Sequence, residues 1–434
     1  MAVKFEKKIR YKVFFPDGSG YGATMNGTDF KNYPEFTLDI NGGLSEMKLT
    51  SSYGFNDWWY DDTEIMTYPW GTTPEEGYTG KLLKTPKGKQ RFFDGFTIGA
   101  KIEVWVDDID GETQIYSGIY TGFEFSYAEN GERESVHHFI PNISILAARI
   151  LKDGSDNTTV AFNSQDPADI FKYILNSANT DVTYNADSIF ETGVSRTYSF
   201  NAYTCLEALR QTIKLTPNGW IWFVGGDDLL YLKNTNNGNV TTHRLSMNKL
   251  ISFKVEKSIA LIRNSVIFLG GGDPPIYKKY DATGSQNSFG VWEEKIADES
   301  VTDEDTADVI VNRFLGDNKI GFNYFTIEIA DSNFSDNGYD IESIKPGDKI
   351  IVDTQNFDFG YTIWGNFYWG IDYWLYDFYA ISGIEMIVKK INYKFTSLIV
   401  DCAYMIDNQE QRIEDIQRDL TNYRFKDAPS TPTT

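Results

Sequence analysis

The sequence is poor in the residues that carry most protein chemistry. Its 434 residues include 3 histidines and 2 cysteines. Histidine is the commonest general base and a frequent metal ligand. His137 and His138 are neighbours in a strand pattern, so they point to opposite faces and form no joint site. His243 stands alone. Cys205 falls in a helical pattern and Cys402 in a strand pattern. Far apart in sequence, they give no disulfide framework and no Cys-based zinc site, and read as buried small hydrophobes. Basic residues are in deficit, and the net charge is −22. That argues against a nucleic-acid surface, which works by displacing counterions from phosphates. It argues equally against an anionic membrane surface. No apolar run approaches the length of a membrane span. Met1 to Arg10 carries charges throughout and lacks the apolar stretch of a signal peptide, so synthesis and folding in a cytoplasm are expected. Catalytic motifs are missing too: there is no Gly-x-Ser-x-Gly elbow, His-Glu-x-x-His, Walker A loop or Cys-x-x-Cys.

What the chain does contain is repetition. Glu35-Phe-Thr-Leu-Asp-Ile40 returns as Tyr324-Phe-Thr-Ile-Glu-Ile329. Gly99-Ala-Lys-Ile-Glu-Val104 returns as Gly347-Asp-Lys-Ile-Ile-Val352, and Ser117-Gly-Ile119 as Ser382-Gly-Ile384. A further strand pattern follows in each case, Phe123–Tyr127 and Ile387–Ile391. The preserved order predicts one β-rich module used twice. Composition agrees with folded domains: 41% hydrophobic and 24% charged residues are ordinary for a globular chain of two to four domains. Aromatic content, at 15%, is high. Two Gly- and Asp-punctuated excursions supply much of it, one over residues 50–95 and the other over 355–380.

Between the repeats the texture changes. Ile143 to Leu151 reads as a short helix. Asp166-Pro167 is an N-cap with proline at N1, opening a helix that carries Ile170, Phe171, Ile174 and Leu175 on one face. Thr204-x-x-Glu207 is a capping box before Leu206, Leu209 and Ile213. Trp220–Val224 and Leu229–Leu232 form a hairpin over Gly225-Gly-Asp-Asp228. Strands resume at 251–256 and 261–269. Thr302-Asp-Glu-Asp305 opens a helix with Ala307, Ile310, Val311 and Phe314 inward. The expected domains are therefore a first β-module at 1–150, an α+β middle at 151–250, a second β-module at 251–405 and a C-terminal helix with a disordered tail at 406–434. In the last segment Ile406, Ile413, Ile416, Leu420 and Tyr423 follow a heptad seam. So short a seam is marginal alone: it fits a trimer interface, or one helix docked on its own domain.

Few local features suggest a site. Asp107, Asp108, Asp110 and Gly111 superficially resemble a calcium loop, but strands flank them, and Asp110-Gly111 suits a hairpin turn. Gly270-Gly-Gly-Asp-Pro-Pro leaves a strand with no helix behind it, so it lacks a phosphate cradle. No cofactor and no metal site are expected, and no carboxylate pair stands out. The aromatic excursions are the candidate contact surface. Trp58, Trp59, Tyr60, Trp364, Trp369 and Trp374 could anchor a protein partner. They could stack on sugar rings beside Asp61, Asp62, Asp372 and Asp377, or pack on one another under long loops.

Asp340-Ile-Glu-Ser-Ile-Lys-Pro-Gly-Asp-Lys-Ile350 resembles a phrase of the hub proteins of phage tails and contractile baseplates. Ala260-Leu-Ile-Arg-Asn-Ser-Val-Ile-Phe-Leu-Gly-Gly271, the helix from Thr302 and the middle block ending in Trp220–Leu232 extend the likeness to roughly residues 30–405. The chain thus resembles the Tal-like, tail-associated hub family. That resemblance implies a mainly β fold: two tube-like β-barrel or sandwich modules around an α+β insert, with a C-terminal helix. It implies a homotrimeric ring in the virion, assembled in the host bacterial cytoplasm, that adapts a hexameric tail tube to threefold distal parts. Its partners would be the tail tube, the distal tail protein, the tape-measure protein and spike or fibre proteins. DNA would pass through the lumen without specific binding, and no membrane anchor is implied. Many relatives continue into a lysozyme or peptidase domain. This chain stops after the helix, so no enzymatic activity is expected. A glycan-binding or glycan-cleaving tail protein, using the aromatic loops on a host surface, is the alternative.

Overall fold

The computed structural model describes residues 7–14, 21–26, 30–51, 59–60, 82–84, 90–92, 98–108, 111–127, 133–236, 240–246, 249–258, 262–319, 322–333, 338–353 and 385–404. In chain order the first part holds β1 (Lys8–Phe14), β2 (Tyr21–Asn26), β3 (Phe36–Asp39), β4 (Met47–Ser51), β5 (Trp59–Tyr60), β6 (Leu82–Lys84), β7 (Gln90–Phe92), β8 (Lys101–Asp108), β9 (Gly111–Tyr127) and β10 (Arg133–Pro141). The middle holds α1 (Ile143–Ala148), β11 (Thr159–Gln165), α2 (Pro167–Ala178), β12 (Arg196–Asn201), α3 (Cys205–Thr212), β13 (Trp220–Val224) and β14 (Leu230–Asn234). Then come β15 (Thr242–Ser246), β16 (Leu250–Ser258), β17 (Ser265–Gly270), β18 (Tyr277–Asp281), α4 (Thr283–Phe289), β19 (Glu293–Asp298), α5 (Glu304–Asn318), β20 (Phe322–Ala330), β21 (Lys349–Asp353), β22 (Glu385–Lys394) and β23 (Ser397–Tyr404). The expected mainly β class with helices between is the observed one.

Alternation builds the two large sheets. Ile9, Tyr11 and Val13 of β1 and Ile102, Val104 and Val106 of β8 are buried, while their neighbours turn outward. That is the period of a half-buried strand. The first sheet runs β2-β1-β8-β9-β10-β4, and the second runs β15-β21-β22-β23-β20-β16. Within them, β8-β9-β10-β4 and β21-β22-β23-β20 have the same order with antiparallel neighbours throughout. The inner faces of both sheets merge into one core cluster.

The sequence echo locates β8 and β21 at matching places, two other matches differ, and Ser382-Gly-Ile384 of the remaining match lies outside the described residues. Residues 35–40 do not hold in the first sheet the place that β20 holds in the second; β4 does. β3 crosses over and pairs with β22, Phe36 opposite Tyr393 and Asp39 opposite Lys390. The register of the second strand also shifts. Lys101 lies opposite Ile119 and Lys349 opposite Ile387, so Phe123 corresponds to Ile391 and not to Ile387. An even slip leaves every side chain on its face, so strand pattern alone cannot fix register.

The helices begin where the caps predict. The Asp166 carboxylate accepts from Ala168 N at 2.8 Å, with Pro167 at N1. Thr204 and Glu207 form the reciprocal capping box. α1 ends at Ala148, shorter than expected. The middle block has its own core, in which Ile170, Phe171, Ile174 and Leu175 of α2 meet Leu209 and Trp222. That core also takes Val266, Phe268, Val301, Ala307, Ile310 and Val311. Residues 262–315, grouped by sequence with the second β-module, therefore pack with the middle block. The sequence between β14 and β17 merely visits the second sheet, as β15 and β16.

Candidate functional site: the joints between the sheets and the middle block

Among the described residues, the concentrations of buried charge lie where the three parts meet. The first joint is the segment 36–43. Phe36 stacks on Tyr393, ring centroids 5.1 Å apart. Ile40 N donates to Lys389 O at 3.0 Å. Asn41 N then donates to Trp222 O at 2.6 Å, and Val224 N donates to Gly42 O at 3.0 Å. One short stretch thus bonds to the second sheet and to the middle hairpin. Gly43 allows the approach, since a Cβ there would meet Ile143 Cδ1 at 3.0 Å and Val224 O at 3.3 Å.

The second joint seats the tip of the β13–β14 hairpin on the first sheet. β9 carries a bulge that leaves Ile115 unpaired against β8. Gly226 packs there so closely that a Cβ would fall 2.3 Å from Ile115 O. Gln114 Nε2 donates to Gly226 O at 2.8 Å. Beside it, Asp228 is buried with φ +60°. It receives Lys101 Nζ at 3.1 Å and Asn142 Nδ2 at 2.9 Å. Asn142 Nδ2 also donates to Ser117 Oγ at 3.0 Å. Burial raises the Asp228 carboxyl, and Lys101 pulls it back.

The third joint is a buried charge cluster. Lys7 Nζ lies 2.5 Å from Glu342 Oε1 and also bonds to Asp331, and it donates to Phe395 O at 3.2 Å. The three charged side chains are 0%, 4% and 0% exposed in the order Lys7, Glu342, Asp331. Tyr393 OH donates to Glu342 Oε1 at 2.8 Å. Burial raises the Glu342 carboxyl, and the Lys7 charge draws it down. Lys7 precedes β1, whereas Asp331 and Glu342 follow β20, so the cluster ties the start of the first sheet to the second. A fourth contact holds α5 to the middle block: Arg313 donates to the carbonyl oxygens of Thr216, Pro217 and Trp220 at 3.3, 2.9 and 2.6 Å.

The histidines do not converge. His137 is buried among Tyr120, Phe30 and Phe123, with Tyr120 OH 3.3 Å from Nδ1. Burial lowers it to about 4, with His138 adding to the shift. His138, on the opposite face, bonds to Glu46 at 2.7 Å. His243 lies 3.2 Å from Asp348 Oδ2 and 3.0 Å from Tyr339 OH. The three side chains form one hydrogen-bonded set. It closes the β15–β21 pair, since Asp348 also accepts from Thr241 N at 3.1 Å and Lys345 N at 2.9 Å. Asp107 of the calcium-like stretch is held by Arg10 at 3.1 Å. Both cysteines are buried. No helix among the described residues is long and apolar enough to cross a membrane.

Of the candidate contact residues, Trp59 and Tyr60 form β5, opposite Arg91 and Gln90 of β7, in a small sheet completed by β6. Trp58, Trp364, Trp369 and Trp374 lie outside the described residues, as do the acidic Asp61, Asp62, Asp372 and Asp377. The heptad residues Ile406, Ile413, Ile416, Leu420 and Tyr423 lie outside them too. Sequence reasoning missed the joints altogether. The lone signal for Lys7, Asp331 and Glu342 is their place beside strand patterns, and charged residues there ordinarily face water.

No protein-family model matches the sequence, and no curated protein matches it. Its fold matches solved structures over nearly the whole chain. A prophage MuSo2 43 kDa tail protein from Shewanella oneidensis is similar with a TM-score of 0.54 at 12% identity, over 92% of this chain and 98% of that one. A tail protein from Neisseria meningitidis MC58 gives 0.54 at 11%, over 93% and 97%. A prophage tail protein from Listeria monocytogenes EGD-e gives 0.50 at 8%, over 95% and 99%. At these identities the likeness is one of fold.

Proposed function

We propose that this chain is a structural hub of a bacteriophage tail tip or baseplate. Three copies would close into a ring that adapts a hexameric tail tube to threefold distal components and lines the DNA channel. The observation that carries the reading is the strand order β8-β9-β10-β4 repeated as β21-β22-β23-β20 within one chain. Two similar sheets per chain, times three, offer six similar faces to a sixfold partner. A symmetry adaptor also needs its two sheets held in fixed relation. The merged core, the crossed β3 and the buried Lys7 cluster supply that relation.

The fold shared with prophage tail proteins supports the same reading. Among the described residues β2, β15 and β16 pair on one side only, which leaves backbone donors and acceptors for a neighbouring chain. A net charge of −22 suits a lumen that repels DNA while it passes. In this reading the β-modules are residues 1–150 and 251–405, with 262–315 lent to the middle domain. Ile406, Ile413, Ile416, Leu420 and Tyr423 close the threefold axis. Trp58, Trp59, Tyr60, Trp364, Trp369 and Trp374 contact the distal tail, tape-measure, spike or fibre proteins. The role is architectural and not catalytic, and the working location is the virion tail. Quantitative mass spectrometry of purified particles tests it: three copies for every six of the tube protein in one ring are expected. One copy per particle would overturn the proposal.

A further inference from the structure

The Lys7 cluster has the parts of a condensation site as well as those of an ion pair. Lys7 Nζ touches two carboxyls at once, through Asp331 Oδ2 and Glu342 Oε1, and donates to Phe395 O at 3.2 Å. The side chains of Lys7, Asp331 and Glu342 are 0%, 0% and 4% exposed. The Tyr393 and Phe395 rings lie 5.4 and 5.2 Å from Nζ. In water an amine and a carboxyl stay an ammonium and a carboxylate, and they do not condense. Held in contact inside a protein they are a different system. Fixed contact replaces a chance encounter. An apolar shell favours the uncharged amine, which is the nucleophile, and keeps out the water that would reverse the reaction.

The two acids are placed for different tasks. Asp331 bonds to Lys7 through Oδ2, while its Oδ1 accepts from Asn333 N at 2.7 Å and from Asn333 Nδ2 at 3.0 Å. Attack on Cγ drives charge onto a carboxyl oxygen, and two donors already aimed at Oδ1 stabilise it there. Glu342 accepts from Tyr393 OH at 2.8 Å through the same Oε1 that meets Lys7. Burial raises its carboxyl, and the Lys7 charge draws it down. A carboxyl that burial inclines to hold a proton, in contact with the amine, is suited to carry one.

We propose that Lys7 and Asp331 join in an isopeptide bond, Nζ to Cγ, with Glu342 as the proton carrier. The ion pair described above is the reactant, and a chain that has not condensed retains it. Nζ gives one proton to Glu342, which passes it to Asp331 Oδ2. The amine lone pair then attacks Cγ, and charge moves onto Oδ1 against the Asn333 donors. A second Nζ proton travels the same way to Oδ2. The Cγ–Oδ2 bond breaks, and Oδ2 leaves as water with the bonding pair. Glu342 ends as it began, and nothing is oxidised or reduced. The product ties the residue before β1 to the segment after β20, so the first and second sheets gain a covalent link besides the chain itself. The inference does not rest on the proposed assembly.

The test is intact-mass spectrometry of the full-length protein, folded and then denatured. A mass one water below that of the sequence is expected, together with a protease fragment in which Lys7 and Asp331 are linked. The fragment separates this bond from a succinimide at an Asp-Gly step such as Asp153-Gly154, which loses the same water. Lys7→Met should show its full mass. Glu342→Gln keeps the amine and Asp331 and removes the proton carrier, and in freshly expressed protein its linked fraction should grow at least tenfold more slowly. Full mass in the folded wild-type protein would overturn the proposal, whatever the variants do. So would a link at Glu342 in place of Asp331, or an unchanged rate in folded Glu342→Gln.

Discussion

Replacing Lys7 with methionine probes the joint between the sheets at its most charged point. Methionine keeps the apolar stem against the Tyr393 and Phe395 rings, which lie 5.4 and 5.2 Å from Lys7 Nζ. It removes the ammonium that Asp331 and Glu342 share. Breaking a buried ion pair from one side costs about 3–5 kcal/mol, because a charge stays buried without its partner. Some donors remain. Asp331 keeps Asn333 N at 2.7 Å and Asn333 Nδ2 at 3.0 Å, and Glu342 keeps Tyr393 OH at 2.8 Å. That favours the lower end, about 3 kcal/mol. Hydrogen exchange resolved by segment is the assay, since a chain with two cores need not unfold in one step. Protection should fall in β1, β20 and β23 and hold in α2 and α3. The pH dependence supplies a second signature. Burial raises the Glu342 carboxyl, and without Lys7 nothing of that charge draws it back. The deficit is then full at neutral pH and shrinks as pH falls through the raised value toward the ordinary carboxylate range near 4. A loss under about 1 kcal/mol, or a deficit that does not change between pH 7 and about pH 4, would refute the reasoning.

Three further outcomes follow from the same geometry. His137, held near 4 by burial, resists protonation in the folded state while the unfolded chain takes up its proton near 6.5; stability should therefore decline as pH falls from about 6.5 to about 4, by about 3 kcal/mol in all, and then level off. His137→Phe should remove that part of the slope in thermal unfolding followed against pH. Gly347 has φ +82°, and a Cβ there would lie 1.9 Å from Ile221 Cδ1, so Gly347→Ala should cost about 2 kcal/mol in urea titration. Burial pushes the Cys205 thiol to about 11 and raises Cys402 as well; both should resist a maleimide at pH 8 in the native protein and react once denatured.

The parts legible in the sequence are those written in neighbouring residues. Alternation over Ile9–Val13 and Ile102–Val106, the capping box at Thr204 and Glu207, and the Asp166-Pro167 helix start all act within a few positions. The Gly-x-Lys-Ile phrase marks β8 and β21 for the same reason. What stayed hidden depends on pairings across hundreds of residues. Nothing near Phe36 says that β3 leaves its own sheet for β22, because an edge strand bears the same alternation wherever it pairs. Nothing in the residues around Lys7 marks Asp331 and Glu342, more than 300 positions away, as its partners. The helix that opens after Thr302 is legible as an element, but its apolar face does not name its partner, and it packs on the middle block. The aromatic excursions and the heptad seam stand out by composition, and apart from β5, β6, β7 and the end of β4 they lie outside the described residues.

The central claim is that one chain carries two similar sheets so that three chains can meet a sixfold tube. Electron microscopy of the purified protein at high concentration, with class averages viewed along the particle axis, addresses it most directly. The account predicts a threefold ring with six peripheral lobes and a central hole. Monomers at every concentration, and no ring when tail tubes are added, would contradict it.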